Sequence, residues 1–354
     1  MKCVVLGGYG GVGRSLCRAL QSERNAEVIV AGPRADRARA FATEIGAGWA
    51  DARAEEANSL AQAFAGARLV IVSAPVGAHI AGIGAAALDA DADMVDILLD
   101  AAVPDRLAPL ADRAAERGRV LLTQAGFHPG LPGVFIRAAA LRLDRLHSAR
   151  VTMAMSTAFD QPAATRELVQ AVAANDARIL EAGAWRRAGW RDMVEVEFGA
   201  GFGARSTFPL RMREIEDLGL PEMTEAGVWA AGFDKVTDNL LMPLAMAFGG
   251  TGWGQRLIGR AIWAATRRWP APGRGVVFRL EAEGALHGAA AALTLEARAD
   301  DAYRFTVDAV MVALAQLLDG TLPPGLHYMG RALDPDRALA DLAARGVAVD
   351  TRWR

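Results

Sequence analysis

The chain has 354 residues, enough for two domains of ordinary size, and its 52% hydrophobic and 23% charged residues exclude a disordered, collagen-like or coiled-coil protein. A net charge of −2 gives no positive field for a nucleic-acid backbone, so nucleic acid is not an expected partner. No run of ~18 apolar residues suggests a membrane span. The opening MKCVVLGGYGG breaks at glycines too early for a signal peptide, and Cys3 and Cys17 are too few for a disulfide framework, so a reducing cytoplasm is expected.

The first third alternates short apolar runs with helical spacing. Residues 2–6 read as a buried strand, and Val12, Leu16, Ala19 and Leu20 fall on one side of a helix over 12–20. Further strands are expected at 27–31, 47–50, 69–73, 94–97 and 120–123, with helices at 36–45, 55–64, 78–90 and 104–116 between them. Six strands joined by helices require crossover connections, hence an α/β, doubly wound parallel sheet.

The pattern changes at GFHPGLPG, 126–133, which reads as a loop and sets the boundary between a domain at 1–128 and a second one. Beyond it, strands are expected at 150–156, 194–198, 276–283 and 290–298, and helices at 164–182, 224–247 and 303–318. Such long alternating runs suggest an α+β domain built on a mainly antiparallel sheet.

Gly8-Tyr9-Gly10-Gly11-Val12-Gly13 satisfies G-x-G-x-x-G between a strand and a helix. Gly8 permits the tight turn, Gly10 lets the backbone approach a pyrophosphate, Gly13 lets helix and strand pack closely, and the helix start favours the anion. At the end of the second strand, where an acid commonly binds an unphosphorylated ribose, stands Gly32-Pro33-Arg34. Arg34 suits a 2′-phosphate and favours NADP(H); in the plainer alternative it is a solvated loop charge and Asp36 serves the ribose. Ser73, Ala74 and Pro75 leave room for the ribose and nicotinamide at the fourth strand's end. Asp51 either accepts from the adenine amino group or caps the next helix, capping being the first choice.

These segments resemble the saccharopine dehydrogenase-like oxidoreductases. The resemblance rests on GGYGGVG, IVAGPR with DRARAFATEIG, LVIVSAPVG, MVDI and QAGFHPGLPG, and again on PPGLHYMGRALDPDRALADLAARGVAV near the end. It implies a Rossmann domain, an α+β substrate and dimerisation domain over 129–325, and a closing segment, 326–354, that packs back near the first domain. It also implies NADP-dependent hydride transfer, commonly at a carbon–nitrogen bond of a small amino- or keto-acid-derived substrate, and a homodimer. The junction loop of saccharopine-reducing members reads like G-L-D-P-G, whereas His128 stands here before the proline. Two alternatives follow: an enoyl reductase acting on a lipid or polyketide double bond, and a non-catalytic sensor or scaffold that keeps the cofactor.

Hydride transfer needs orientation and one proton donor or acceptor. His128, an imidazole on a constrained loop at the expected interdomain cleft, is the first catalytic candidate, and Asp96 at a strand end is the second. Phe127, His128, Arg211 and Arg213 are the substrate-binding candidates, the two arginines sharing a strand face by period 2, with Arg205 nearby. The five histidines are spaced for no metal site. In 252–269, GWGQRLIGRAIWAATRRW, Leu257, Ile258, Ala261, Ile262 and Ala265 form an apolar stripe flanked by tryptophans and arginines. It suits a dimer interface, a lid, or peripheral contact with a membrane.

Overall fold

The computed structural model describes residues 1–155, 162–174, 176–199, 201–269 and 273–354. The chain divides into two units, one formed by Met1–Val134 and Tyr303–Arg345, the other by Phe135–Ala302 and Gly346–Arg354. Both are discontinuous in sequence, unlike the division into 1–128, 129–325 and 326–354.

The first unit begins with β1 (Lys2–Leu6), α1 (Gly11–Arg24), β2 (Glu27–Gly32), α2 (Ala35–Ile45), β3 (Gly48–Asp51), α3 (Ala57–Phe64) and β4 (Leu69–Val72). It continues through α4 (Ile80–Asp89), β5 (Asp93–Asp96), α5 (Val103–Leu107), α6 (Ala111–Glu116) and β6 (Val120–Thr123). Val4, Val70, Ile71, Met94 and Leu121 are wholly buried, as expected for strands covered on both faces. The GFHPGLPG segment is a loop only in part. Gly126 N donates to Pro129 O at 2.8 Å, but Leu131 already starts α7 (Leu131–Ala140), because Pro132 is tolerated in a first helical turn.

The second unit contains β7 (Arg145–Met155), α8 (Pro162–Ala174), β8 (Arg178–Glu181), β9 (Ala184–Arg187), β10 (Val194–Glu197), β11 (Ala204–Leu210) and β12 (Glu225–Ala231). These are followed by α9 (Met242–Phe248), α10 (Gly252–Arg268), β13 (Val276–Leu286) and β14 (Ala289–Ala299). Two helix expectations are corrected here. The helix expected at 164–182 ends at Ala174 and the chain turns into β8; the one expected at 224–247 is β12, then a π-helical turn over Thr237–Leu241 and α9. Ser156, expected to close a strand, lies outside the described residues.

The chain then returns to the first unit with α11 (Ala302–Leu318), β15 (Gly325–Tyr328), α12 (Met329–Ala332) and α13 (Pro335–Ala344), and closes in the second with β16 (Ala348–Trp353). β15 pairs in parallel with β6, so the first sheet has seven strands, in the order β15-β6-β5-β4-β1-β2-β3, rather than six. This is a doubly wound Rossmann sheet. Arg345 ties the returning segment to α1: its guanidinium donates to both Glu23 oxygens and, at 2.9 Å, to buried Asp308. The second sheet runs β10-β11-β12-β7-β13-β14-β16 and is antiparallel except where β12 lies alongside β7.

Candidate functional site

At the end of β1 the backbone folds into a cradle. Gly7 has φ +88°, and its N–H donates to Ala31 O at 2.8 Å; Gly8 N donates to Val5 O and Gly10 N to Gly7 O, at 3.1 and 2.9 Å. A Cβ on Gly13 would lie 2.2 Å from Gly7 O, so only glycine lets α1 start this close to the turn. Gly10, in extended conformation, is the N-cap; no side chain caps α1 and no acid occupies its first turn. The first N–H groups of α1 thus lack intrahelical partners and meet the positive end of the helix dipole, an arrangement that receives an anion. Gly11 and Val12 form its rim, and a Cβ on Gly11 would touch the ring of Tyr303 at 3.2 Å.

At the end of β2, Tyr9 lies over Gly32 so closely that a Cβ there would be 2.7 Å from the ring, and its hydroxyl accepts from Arg34 N at 3.3 Å. The Arg34 side chain is exposed at the start of α2, and no carboxylate ends β2. Asp51 is the register partner of Gly32 across β2 and β3. It does not cap the following helix, whose N-cap is Glu56 with no side-chain cap; its carboxylate faces Arg53 at 3.7 Å.

The β4 end is fixed by Ser73, whose Oγ donates to Leu6 O at 3.0 Å, and Ala74 packs on Gly7. Pro75 is exposed beside it. Arg106 holds the loop beyond, donating to Gly77 O at 3.1 Å and to Asp100 at 2.6 Å.

Asp96 ends β5 in complete burial. Its Oδ1 accepts from Leu98 N at 3.1 Å and Gln124 N at 3.2 Å, and its backbone oxygen from Ala125 N at 2.7 Å. Asp96 therefore supports the loop that carries His128. Among the described residues its Oδ2 has no hydrogen-bond partner, and the same holds for Thr123 Oγ1, Gln124 Oε1 and His128 Nδ1, all sealed from solvent. Burial raises the Asp96 carboxyl to about 6; the neighbouring Thr123 hydroxyl, though not within good hydrogen-bond geometry, and the two amides offset part of that shift. Burial lowers the His128 imidazole to about 4, so it is neutral at physiological pH although part of its surface remains accessible. Gln124 takes φ +56°, a strained value for a non-glycine residue and a feature of functional sites.

Of the sequence candidates, the glycine turn, Tyr9, Arg34, Ser73, Ala74, Pro75, Asp96 and His128 all lie along the carboxyl ends of strands in one sheet. Phe127 is instead packing: it is 3% exposed, its ring 4.0 Å from that of His128 and 5.1 Å from that of Phe305. Arg211 and Arg213 share no strand face, because β11 stops at Leu210 and Arg213 begins a 3-10 turn. Arg211 bonds Glu216 and Asp176, both at 2.9 Å, and Arg213 faces Glu216 at 3.7 Å. Arg205 is buried against Asp238 and Phe233 O. The sequence reading missed Gly7, Thr123, Gln124 and Tyr303. Gly7 was discernible as the first glycine after an apolar run, and Gln124 as a polar residue closing the VLLT strand. Among the described residues, no three metal-binding side chains converge.

No protein-family model and no curated protein matches the sequence. The fold, however, is similar to that of saccharopine dehydrogenase. The chain is similar to the apo, histidine-tagged saccharopine dehydrogenase (L-Glu forming) of Saccharomyces cerevisiae, with TM-score 0.74 and 15% identity over 100% of this chain and 99% of that one. It is also similar to a multiply substituted meso-dapdh of Clostridium tetani E88 with DAP, at TM-score 0.51 and 11% identity, covering 95% of each chain.

Proposed function

We propose that this protein is an NADP(H)-dependent oxidoreductase of the saccharopine dehydrogenase type, transferring hydride at a carbon–nitrogen bond of a small amino- or keto-acid-derived substrate. The observation that carries this reading is the uncapped start of α1 beneath a glycine turn that closes only because Gly13 has no side chain. Gly8, Gly10, Gly11 and Gly13 would hold the pyrophosphate by backbone N–H groups, and Arg34 the 2′-phosphate. Asp51 would lie beside the adenosine end, and Ser73 to Pro75 would flank the nicotinamide end. When bound, the cofactor supplies or accepts the hydride.

The chain's own groups handle the proton. Asp96 is raised to about 6 and His128 lowered to about 4, so a carboxyl that holds its proton only up to about pH 6 sits on the same strand-end platform as an imidazole that stays uncharged at neutral pH. Environments that push two titratable groups in opposite directions support an acid–base assignment. We assign His128 to the hydrogen bond with the reacting nitrogen, and Asp96 to holding the loop and its protonation balance.

The test is a screen of purified protein with NADPH, read as cofactor oxidation and by mass spectrometry of products. Turnover with a paired amine and keto acid is expected; turnover only with an enoyl acceptor would assign carbon–carbon reduction, and tight binding without turnover a sensor. Arg34→Ala should weaken NADPH by roughly 10- to 100-fold, the worth of a lost charge-assisted contact, and leave NADH unchanged. Equal losses for both cofactors would overturn the 2′-phosphate assignment.

A further inference from the structure

Helix α10 carries an exposed face that has no role in the site described above. Its inner side is Gly254, Ile258, Gly259, Ile262 and Ala265, with Thr165 Oγ1 of α8 bonded to Gly259 O at 2.8 Å. The expected apolar stripe thus divides, since Leu257 faces outward with 63% exposure. It shares the outer side with Trp253, Arg256, Arg260, Arg267 and Arg268, the residues that recur at three- and four-residue spacing opposite the buried ones. Trp253 is 52% exposed and lies 5.8 Å from exposed Phe248, and Leu240 is also exposed nearby in sequence. Arg166 of α8 joins Trp253, Arg256, Leu257, Arg260 and Trp263 around a depression of about 510 Å³.

Charge sets this surface apart. Residues 252–269 contain four arginines and no acid. Several arginines elsewhere are matched: Arg14 to Glu44, Arg106 to Asp100, Arg279 to Glu296, Arg345 to Glu23. Arg256, Arg260, Arg267 and Arg268 have no carboxylate within ion-pair distance among the described residues, while Arg267 and Arg268 lie over the rings of Trp263 and Trp269.

We propose that this face docks on an anionic lipid surface. Arginines meet lipid phosphates, tryptophans suit the headgroup level, and Leu257 and Phe248 reach the acyl boundary. A second copy fits less well, because a two-fold contact sets the same patch against itself and would oppose unmatched arginines. A nucleic acid would leave the exposed leucines without a role.

Flotation of the full-length protein with phosphatidylcholine vesicles, with and without phosphatidylglycerol, tests this independently of any cofactor. Binding to the anionic vesicles should exceed that to neutral ones by about 10-fold or more and fall with added salt. The double variants Trp253→Ser/Leu257→Ser and Arg256→Gln/Arg260→Gln should each reduce it about 10-fold or more, with thermal unfolding and NADPH binding unchanged. Absence of flotation, equal binding to neutral vesicles, or no effect of either double variant would overturn the proposal. So would a solution dimer that both variants dissociate, or displacement of the lipid by nucleic acid.

Discussion

Two helices begin almost identically and end in different roles. α1 starts from GGYGGVG and α10 from GGTGWG, and in each a glycine in the first turn sits where a Cβ would lie 2.2 Å from a carbonyl oxygen, Gly13 against Gly7 O and Gly254 against Phe248 O. At α10 the Thr251 side chain accepts from Gly254 N at 3.1 Å and caps the helix, whereas at α1 the N-cap is Gly10, without a side chain to do so. Glycine density shapes both turns; the vacant cap leaves donors for a ligand in only one.

The strongest way to break the comparison is to add side chains. Gly13→Val and Gly254→Val should each cost ~3 kcal/mol by overpacking. In urea melts the two should look alike, but only Gly13→Val should abolish NADPH binding, and equal binding losses would remove the distinction.

Next in size is the pH response of the strand-end platform. Asp96, raised from 3.8 to about 6, contributes stability that is complete below about pH 4 and lost as the pH rises through about 6. His128, lowered from 6.5 to about 4, contributes stability that is complete above pH 6.5 and lost as the pH falls through about 4. The two slopes oppose each other in the native protein. Relative to wild type, Asp96→Asn should therefore gain stability from pH 4 to 6, and His128→Gln should gain as the pH falls from 6.5 to 4; chemical denaturation across that range reads both. An acid limb near pH 6 in kcat/KM should be lost in Asp96→Asn.

Smaller effects sharpen the cap argument. Thr251→Ala should cost ~1 kcal/mol and leave cofactor affinity alone. Gly10→Ser, which gives α1 a side-chain cap, should change stability by a few tenths of a kcal/mol yet weaken NADPH by about 10-fold, because its hydroxyl competes for the same N–H groups. Calorimetry with both variants would show whether affinity follows the cap.

The first unit was legible because its strands are buried on both faces and leave continuous apolar runs such as LVIV and VLLT, with glycines at the turn. β15 escaped because GLHY has little apolar signal of its own; it is a strand through its register with β6. β12, EAGVWAA, reads as helix from its small residues and becomes a strand because β7 and β11 pair with it on either side. The shared strand face expected of Arg211 and Arg213 is lost for a similar reason: β11 ends at Leu210, and the fold pairs the two arginines with Asp176 and Glu216. The glycine turn was readable from the sequence alone, whereas the orphaned atoms around Asp96 required the packing to be seen.

The central claim is best tested by titrating the protein with NADPH and following thermal protection, alongside Gly13→Val. Saturable stabilisation of the native chain and none of the variant is predicted. No shift in the native protein with either NADPH or NADH, at concentrations well above those ordinary for dehydrogenases, would contradict it.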